Sequence, residues 1–335
     1  MAVPIWFILL ATLGAVHVAA AVFRLIAVLS SGLRRPKDLR RRYGEWAVVT
    51  GPTSGIGRAM ALELAARGLD VVLVGRDRAK LREVADAVTR SHGVRTKTVV
   101  FDFSLVSTVQ GEKAMAALRE AVEEVDVGVL VNNAGVVKPG AMFLHEADVE
   151  AWVRMIRVND LALTKVTAAV LPGMVERRRG AVVNIGSASS SVLPSFPLYS
   201  VYVGTKAYVA EFSRGLSVEY KSKGIDVQCQ VPFLVDTKMI SAAVRGKYVP
   251  LVVTAEEYAR AAARSIGDGR RVCVPNTAHR LQQLLLRCTP EFAVDWCLLR
   301  LHLHHRAVFR AIRSSSGRRY SSTHRTPDGG QPATN

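Results

Sequence analysis

A tyrosine and a lysine lie four residues apart in the stretch Tyr202-Val203-Gly204-Thr205-Lys206. On a helix this spacing places both side chains on one face, one turn from each other. A free phenol has a pKa of about 10, and a nearby ammonium group favours the phenolate and lowers that pKa. A tyrosine tuned in this way can act as a general acid or base. Because the spacing also arises by chance, with a core tyrosine beside a solvated lysine, the hypothesis requires a cofactor site and a carbonyl pocket nearby.

A glycine-rich turn follows the first predicted strand, which covers residues 46–50. The order strand, glycine turn, helix is typical of dinucleotide sites, where the glycines let the backbone approach a pyrophosphate at the start of the helix. The spacing here is G-x-x-x-G-x-G rather than the commoner form. The predicted cofactor-binding residues of this turn are Gly51, Thr53, Ser54, Gly55, Ile56, Gly57 and, just after it, Arg58.

The end of the second predicted strand, residues 70–74, carries Gly75-Arg76. An NAD site usually has an acidic residue here that binds the ribose 2′-hydroxyl. Arg76 takes that place, and together with Arg58 it would suit a 2′-phosphate. We therefore expect NADPH as the cofactor, the alternative being that Arg76 is a solvated surface residue.

Strands and helices alternate through the rest of the chain. Further strands are predicted at 96–101, 127–131, 181–185 and 271–274, and helices at 78–91, 108–124, 147–158, 160–178 and 254–267. This alternation predicts an α/β fold with a doubly wound parallel sheet of the Rossmann type, which binds ligands at the carboxyl ends of its strands. Asp102, Asn133, Ala134 and Gly135 fall at such ends and are predicted to contact the cofactor.

The net charge of +17 is concentrated in two segments, with +5 in residues 34–42 and +6 in residues 277–335. Residues 1–33 are mostly apolar and long enough for a transmembrane helix, which needs about 20 apolar residues. We therefore predict a membrane anchor at 1–33 and a basic juxtamembrane linker at 34–45 that stays cytosolic. A buried helix of a soluble core is the alternative. The basic segments flank membrane elements, so nucleic acid is not an expected partner. The four cysteines form no CxxC pair, which favours a reducing compartment.

Two later segments of the chain are predicted to contact the substrate or the membrane. Residues 233–253 should form a mobile lid, with Met239, Ile240 and Val244 facing an acyl chain. Residues 276–313 are predicted as amphipathic, membrane-associated helices, and 314–335 as a disordered tail. His302, His304 and His305 have no carboxylate or cysteine partner in register, so no metal site is predicted.

These motifs together resemble the short-chain dehydrogenases/reductases over about residues 46–275. The resemblance is carried by Thr50-Gly51-x-x-x-Gly55-x-Gly57, Asn132-Asn133-Ala134-Gly135, Asn159, Ser187 and Tyr202-x-x-x-Lys206. Within that family the chain looks most like the membrane-anchored very-long-chain 3-oxoacyl-CoA reductases, in particular the plant β-ketoacyl reductases. The segments behind this closer resemblance are residues 42–46, 50–53, 199–202, 218–221 and 224–232.

The resemblance implies a catalytic tetrad of Asn159, Ser187, Tyr202 and Lys206. In it, Ser187 binds the substrate carbonyl, Tyr202 donates the proton, Lys206 binds the ribose and lowers the tyrosine pKa, and Asn159 holds a water. Ser189 remains an alternative to Ser187, because it lies at the spacing from the tyrosine that is common in the wider family.

The loop after the last long strand also departs from the family pattern. Phe233 follows Pro232 where many relatives have glycine. Val235 and Thr237, further along this loop, are expected by resemblance near the nicotinamide amide.

The predicted function is NADPH-dependent reduction of very-long-chain 3-oxoacyl-CoA to 3-hydroxyacyl-CoA in fatty-acid elongation. By resemblance the protein would lie in the endoplasmic-reticulum membrane with a cytosolic catalytic domain. Expected partners are the 3-oxoacyl-CoA substrate, membrane lipid, other elongase-complex enzymes and a possible second copy of the chain. A hydroxysteroid or other lipid-ketone dehydrogenase, and a non-catalytic nucleotide-binding scaffold, are the alternatives.

Overall fold

The computed structural model of the chain describes residues 4–30, 37–239 and 251–322. The elements of its first half are α1 (Ile5–Ser30), α2 (Leu39–Tyr43), β1 (Trp46–Thr50), α3 (Gly55–Ala66), β2 (Asp70–Gly75), α4 (Arg78–His92), β3 (Thr96–Val100), α5 (Val109–Glu123), β4 (Val127–Asn132) and α6 (Val149–Ile156). Those of the second half are α7 (Ala162–Glu176), β5 (Gly180–Ile185), α8 (Ala188–Ser191), α9 (Ser200–Glu219), β6 (Ile225–Gln230), β7 (Val235–Asp236), β8 (Val253–Thr254), α10 (Ala255–Ser265), β9 (Val272–Cys273), α11 (Thr277–Arg287) and α12 (Glu291–Ser322).

Seven of the described strands form one parallel sheet in the order β3-β2-β1-β4-β5-β6-β9. This order reverses direction between β1 and β4, which is the position where doubly wound sheets bind ligands. The predicted Rossmann-type parallel sheet is therefore confirmed, and the predicted strand bounds agree with the observed ones to within one residue at either end.

The sheet is covered on both faces because its strands are apolar on both sides. Val49 of β1 packs in one hydrophobic cluster with α3, α4 and α10. Val48, the preceding residue, packs on the opposite face with α5 and α7. The sheet thus presents its strand ends, rather than a face, to ligands.

The segment predicted as a juxtamembrane linker is partly folded onto the domain. Leu39 and Tyr43 of α2 are buried in the core, and the Tyr43 hydroxyl donates a hydrogen bond to Asp226 over 2.7 Å. Arg42 forms an ion pair with Asp226 at 3.1 Å. The amphipathic spacing of Leu39 and Tyr43 explains the difference, since four residues on a helix bring them to one face.

The N-terminal helix α1 leaves most of its described apolar side chains exposed, including Ile5, Trp6 and Phe7. Among the described residues, none of the helices combines the length and apolarity needed to cross a membrane. The transmembrane helix predicted over residues 1–33 is therefore not confirmed.

The two helices predicted at 147–158 and 160–178 join into one continuous helical run. A π-helical segment, Arg157–Leu161, connects α6 to α7 and contains Asn159. Single π turns inside α-helices occur frequently at functional sites. The extra residue shifts the hydrophobic period, which is why the sequence pattern suggested a break.

The region after β6, predicted as a lid over residues 233–253, is described at its two ends. Its described ends form a short parallel pair, Val235 with Val253 and Asp236 with Thr254. Met239 is exposed, whereas Ile240 and Val244 lie outside the described residues.

The predicted start of the C-terminal tail needs correction. Helix α12 packs along the domain through buried residues such as His302 and Val294. It continues to Ser322, beyond residue 314 where a disordered tail was predicted. Gly317 is the only strong helix-weakening residue before Pro327, and a single glycine costs about 1 kcal/mol. Residues 323–335 lie outside the described part.

Candidate active site

The glycine turn after β1 leaves no room for side chains at its centre. A Cβ atom at Gly57 would lie 2.2 Å from the Gly51 carbonyl oxygen and 2.3 Å from Asn133 Nδ2. Gly55 has a φ of +54°, a conformation that favours glycine. The turn therefore exposes backbone at the N-terminus of α3, where amide groups and the helix dipole favour an anionic group.

Asn133 fixes the position of this turn from the end of β4. Its Nδ2 donates to the carbonyl oxygens of Thr50 at 3.0 Å and Gly51 at 3.1 Å. The backbone amides of Asn133 and Ala134 both donate to Thr50 Oγ1 at 3.0 Å. The predicted cofactor residue Asn133 thus holds the cofactor turn in place.

Tyr202 and Lys206 lie one turn apart on α9, as their spacing predicted. Lys206 Nζ donates a hydrogen bond to the Ile185 carbonyl at the end of β5, over 2.9 Å. It also lies 6.0 Å from the centroid of the Tyr202 ring. The phenol is therefore held at the strand ends that carry the glycine turn and Ser187.

Ser187 lies directly after β5, and hydrogen bonding between its side chain and the phenol acts to lower the pKa of Tyr202. Ser189 is buried and donates to Ser187 Oγ through both its hydroxyl, at 2.8 Å, and its backbone amide, at 3.2 Å. Of the two candidate serines, Ser187 is the one beside the phenol, and Ser189 lies behind it.

Asn159 lies in the π segment and is tied to neighbouring elements on both sides. Its Oδ1 accepts from the Val136 amide at 2.8 Å, and its Nδ2 donates to the Val136 carbonyl and to Thr205 Oγ1, each at 3.0 Å. A Cβ placed on Gly135 would lie 3.5 Å from Asn159 Oδ1 and 3.6 Å from Lys206 Nζ. All four residues of the predicted tetrad therefore meet at one edge of the sheet.

The family model described as short chain dehydrogenase matches residues 45–247. The chain belongs to the short-chain dehydrogenase family. This confirms the family predicted from the motifs, and with it an oxidoreductase.

The names of two relatives of this short-chain dehydrogenase refer to different enzymes. A very-long-chain 3-oxoacyl-CoA reductase-like protein from Arabidopsis thaliana is 46% identical over 278 residues, covering 82% of this chain and 86% of that protein. The inactive hydroxysteroid dehydrogenase-like protein 1 of Homo sapiens is 38% identical, covering 77% and 76% respectively. Among solved structures, a short-chain dehydrogenase from Sphingobium yanoikuyae in complex with NADPH is 27% identical, with a TM-score of 0.61, and covers 86% of this chain and 98% of its own.

Two arginines border the cofactor turn of this short-chain dehydrogenase. Among the described residues, neither Arg58 nor Arg76 makes an ion pair or side-chain hydrogen bond, and Arg76 is exposed. The acid that follows, Asp77, caps α4 and pairs with Lys80 at 2.7 Å. The glycine cradle and the two arginines fit a dinucleotide that carries an additional phosphate.

Other predicted cofactor residues take local structural roles. Asp102 Oδ1 accepts from the amide and the hydroxyl of Ser104, at 2.9 Å and 2.8 Å. The Val235 side chain is buried in the core, which leaves only its backbone to face a cofactor. Thr237 lies against the glycine turn, since a Cβ on Gly55 would come 2.9 Å from its Cγ2.

Phe233, which replaces the glycine of many relatives, packs with a buried histidine of α11. The Phe233 amide donates to His279 Nδ1 at 3.4 Å, so the other ring nitrogen donates to the Leu234 carbonyl at 3.2 Å. Burial lowers the pKa of His279 to about 4, and the hydrogen bond to Leu234 opposes that effect. The histidine is therefore neutral near pH 7 and holds the loop that follows β6.

The electrostatics of the tetrad differ from the expectation that Lys206 lowers the tyrosine pKa. Burial raises the pKa of Tyr202, and its hydrogen bond with Ser187 partly lowers it. Burial also lowers the pKa of Lys206, while the nearby Cys229 and Asp160 act to raise it. Removing water disfavours the charged form of each group, and this is the largest effect on both pKa values.

Sequence reasoning missed two polar groups of the site. Thr50 accepts the two amides described above, and a hydroxyl directly before the first glycine of the turn was the available signal. Asp160 follows Asn159, and its buried Oδ1 has no hydrogen-bond partner among the described residues. Burial raises the pKa of Asp160 to about 7 against the opposing effect of Lys206. Nothing in the sequence around it indicated this burial.

Proposed function

We propose that this short-chain dehydrogenase reduces very-long-chain 3-oxoacyl-CoA to 3-hydroxyacyl-CoA with NADPH. The observation that carries the proposal is the placement of Lys206 one helical turn from Tyr202, with Lys206 Nζ donating to the Ile185 carbonyl at the end of the strand that leads into Ser187. The Arabidopsis relative, whose name contains this reductase activity, supports the substrate class.

The residues of the site suit proton donation to a ketone oxygen. Ser187 holds that oxygen by a hydrogen bond, and Tyr202 donates its proton to it. Because burial raises the pKa of Tyr202, the phenol is protonated at neutral pH, which is the form that reduction requires. NADPH, when bound, supplies the hydride.

Lys206 and Asn159 have roles other than proton donation: Lys206 is proposed to bind the cofactor ribose, and Asn159 positions a neighbouring loop. An ammonium group has three donors, and Lys206 uses one for the Ile185 carbonyl, which leaves donors for the ribose hydroxyls of the cofactor. Asn159 holds the loop at Val136 beside Lys206. Its predicted water-holding role is part of the proposal.

The preference for NADPH over NADH rests on Arg58 and Arg76. Both cations lie after the carboxyl ends of β1 and β2, where the adenosine ribose of a bound dinucleotide is placed by this fold. A guanidinium group binds phosphate through paired N–H donors, and the absence of an acid at position 76 removes the usual partner of a free 2′-hydroxyl.

We also propose that the protein works at the endoplasmic-reticulum membrane, with its catalytic domain in the cytosol. The exposed apolar side chains of α1 favour a lipid surface. Other elongase enzymes and a second copy of the chain are proposed partners. Recovery of the full chain in the soluble fraction of a detergent-free cell lysate would contradict the membrane assignment.

Reduction of a hydroxysteroid-type ketone is the second candidate function, because the site determines the chemistry and not the substrate. The name of the human relative favours it, and the word inactive in that name favours a non-catalytic scaffold. One assay separates these functions: NADPH oxidation by membranes carrying the protein, with a very-long-chain 3-oxoacyl-CoA and a steroid ketone measured side by side. Faster turnover of the acyl-CoA supports the proposal, preference for the steroid overturns it, and turnover of neither favours the scaffold.

A further inference from the structure

Helix α12 packs against two loops that border the catalytic tyrosine. We define the β4 loop as residues 136–148, which follow the end of β4, and the β5 loop as residues 192–199, which lead into α9. Both loops lie near in sequence to residues of the candidate active site. A helix that contacts both loops is therefore in a position to shape the space beside Tyr202.

A carboxylate of the β4 loop binds two arginines of α12. Glu146 Oε2 accepts from Arg306 Nε at 2.8 Å, and its Oε1 accepts from Arg310 at 2.7 Å and from the second arm of Arg306. Arg306 also lies 4.9 Å above the ring of Phe143. The Glu146 side chain is only 12% exposed, and the hydrogen bond from Arg306 lowers its pKa to about 2. The contact is therefore ionised throughout the neutral range.

A second set of contacts joins α12 to the β5 loop. His302 is buried, and its Nδ1 lies 2.8 Å from the Pro197 carbonyl. Its ring meets the rings of Phe196 and Tyr199 edge-on, at centroid distances of 4.4 Å and 5.0 Å. Ser195 donates to Asp295 at 2.5 Å. These contacts and the Glu146 pairs fix the register of α12 along both loops.

Phe309 is the α12 side chain that this arrangement brings toward the phenol. It packs against the buried cluster formed by Ala141, Leu198 and Tyr199, and Tyr202 packs against the same cluster. Its Cε2 lies 3.4 Å from the position that a Cβ on Gly140 would take. A half-buried aromatic ring therefore shares an apolar cluster with the proton donor and belongs to neither the tetrad nor the cofactor turn.

We propose, on the basis of the reductase function proposed above, that α12 forms one wall of the ketone-binding cleft. In this wall Phe309 is a specificity-determining residue that packs against the apolar chain of the substrate. The surrounding surface, Phe196, Leu198, Tyr199 and Val203, is apolar or aromatic, which suits an alkyl chain better than a polar group. The Glu146–Arg306–Arg310 contact holds the ring in place without touching the substrate.

The test compares two 3-oxoacyl-CoA substrates, one short and one longer by about ten methylenes. Burial of one methylene changes an equilibrium about fourfold, and a phenyl ring covers roughly two or three of them. Phe309→Ala should therefore lower kcat/KM on the long substrate about 15- to 60-fold and change that on the short one little. Phe309→Leu, which keeps apolar bulk, should restore most of the loss. Glu146→Gln should shift the long-to-short ratio in the same direction by raising KM on the long substrate.

Phe292→Ala is the matched control, since Phe292 is on the same helix and 77% exposed. NADPH affinity, measured by its fluorescence on binding, should be equal in all variants and shows that each has folded. An equal loss on both substrates, or an equal effect of Phe292→Ala, overturns the proposal.

If the wild type reduces no acyl-CoA, the proposed function fails by itself, and the same variants are measured on a short and a long alkyl ketone. Selective loss on the long ketone then still supports the role of Phe309. Lack of activity on both ketone series overturns the assignment of Phe309 together with the function.

Discussion

Thr50→Val is the substitution that isolates the link between the sheet and the cofactor turn. Thr50 is buried, and its hydroxyl accepts the amides of Asn133 and Ala134 at 3.0 Å each and donates to the Val131 carbonyl at 3.4 Å. Valine has nearly the same shape, so packing is retained while two buried N–H groups lose their acceptor. An unsatisfied buried donor costs about 1–3 kcal/mol. We expect a loss of about 2–4 kcal/mol in the free energy of unfolding, below the simple sum because the two amides share one acceptor.

The assay is thermal unfolding of the full chain, followed with and without NADPH. A loss of this size lowers Tm by roughly 4–16 °C for a domain of this size. NADPH affinity should fall as well, because Asn133 positions Gly51 through the same cluster. Thr98→Val is the matched control: Thr98 lies exposed on β3, and its hydroxyl makes no hydrogen bond within the described residues. A Tm change no larger for Thr50→Val than for Thr98→Val would refute this account of the turn.

Three further predictions concern the phenol, the cofactor phosphate and acid stability. Tyr202→Phe should lower kcat about 100- to 10,000-fold with NADPH affinity unchanged, because it removes the proton donor; Tyr208→Phe on the same helix is the control, and equal losses would contradict the role of Tyr202. Arg76→Glu should weaken NADPH binding about 10- to 100-fold and NADH binding much less, as measured by fluorescence titration; the exposed Arg90→Glu controls for net charge, and an equal effect on both cofactors would count against a phosphate contact. The pKa of His279 is about 4 in the folded chain and 6.5 in the unfolded chain, so the unfolded state binds more protons between these values. Stability should therefore fall by roughly 3 kcal/mol as the pH drops from 6.5 to 4, and a His279→Gln variant should lose less over this range; a pH dependence of Tm unchanged in that variant would exclude His279 as the cause.

The parts of the fold that could be predicted are those encoded by short stretches of sequence. Strand β1, the glycine turn and α3 follow one another within about twenty residues, and a glycine at position 57 is required by an atom only six residues away, the Gly51 carbonyl oxygen. The Tyr202 to Lys206 spacing needs only one helical turn. Parallel strands then bring these local features to the same edge, so the candidate site followed from the pattern.

The parts that could not be predicted depend on contacts between distant residues. Arg42 was assigned to a lipid-facing linker, yet its partner Asp226 lies 184 residues away in the chain. Arg306 was assigned to a membrane-associated helix, and its partner Glu146 lies 160 residues away. A basic residue has the same local sequence signature whether it faces lipid or pairs with an acid, so composition alone favoured the membrane.

The pKa of Tyr202 illustrates the same limit within the site itself. The sequence placed a lysine beside the phenol, and a pair in water would lower the tyrosine pKa. Burial in the folded chain is the largest effect on the pKa of Tyr202, and it reverses the direction of the shift. A raised pKa keeps the phenol of Tyr202 protonated near neutral pH, which is the form that donates a proton to a ketone oxygen.

The residues that carry out the proposed reaction and those proposed to select the substrate therefore lie in different parts of this chain. Ser187 and the cofactor turn lie at strand ends, and Tyr202, the proposed proton donor, lies beside them on α9; a change of residue at these positions should alter the reaction. The proposed wall of the cleft is formed by α12, which follows the last sheet strand and is held by Glu146 and His302 rather than by the sheet. Substitutions on α12 can thus change which ketone fits while the tetrad keeps its geometry. It follows that exchanging α12 while keeping the tetrad should change the preferred ketone and leave the reaction itself unchanged.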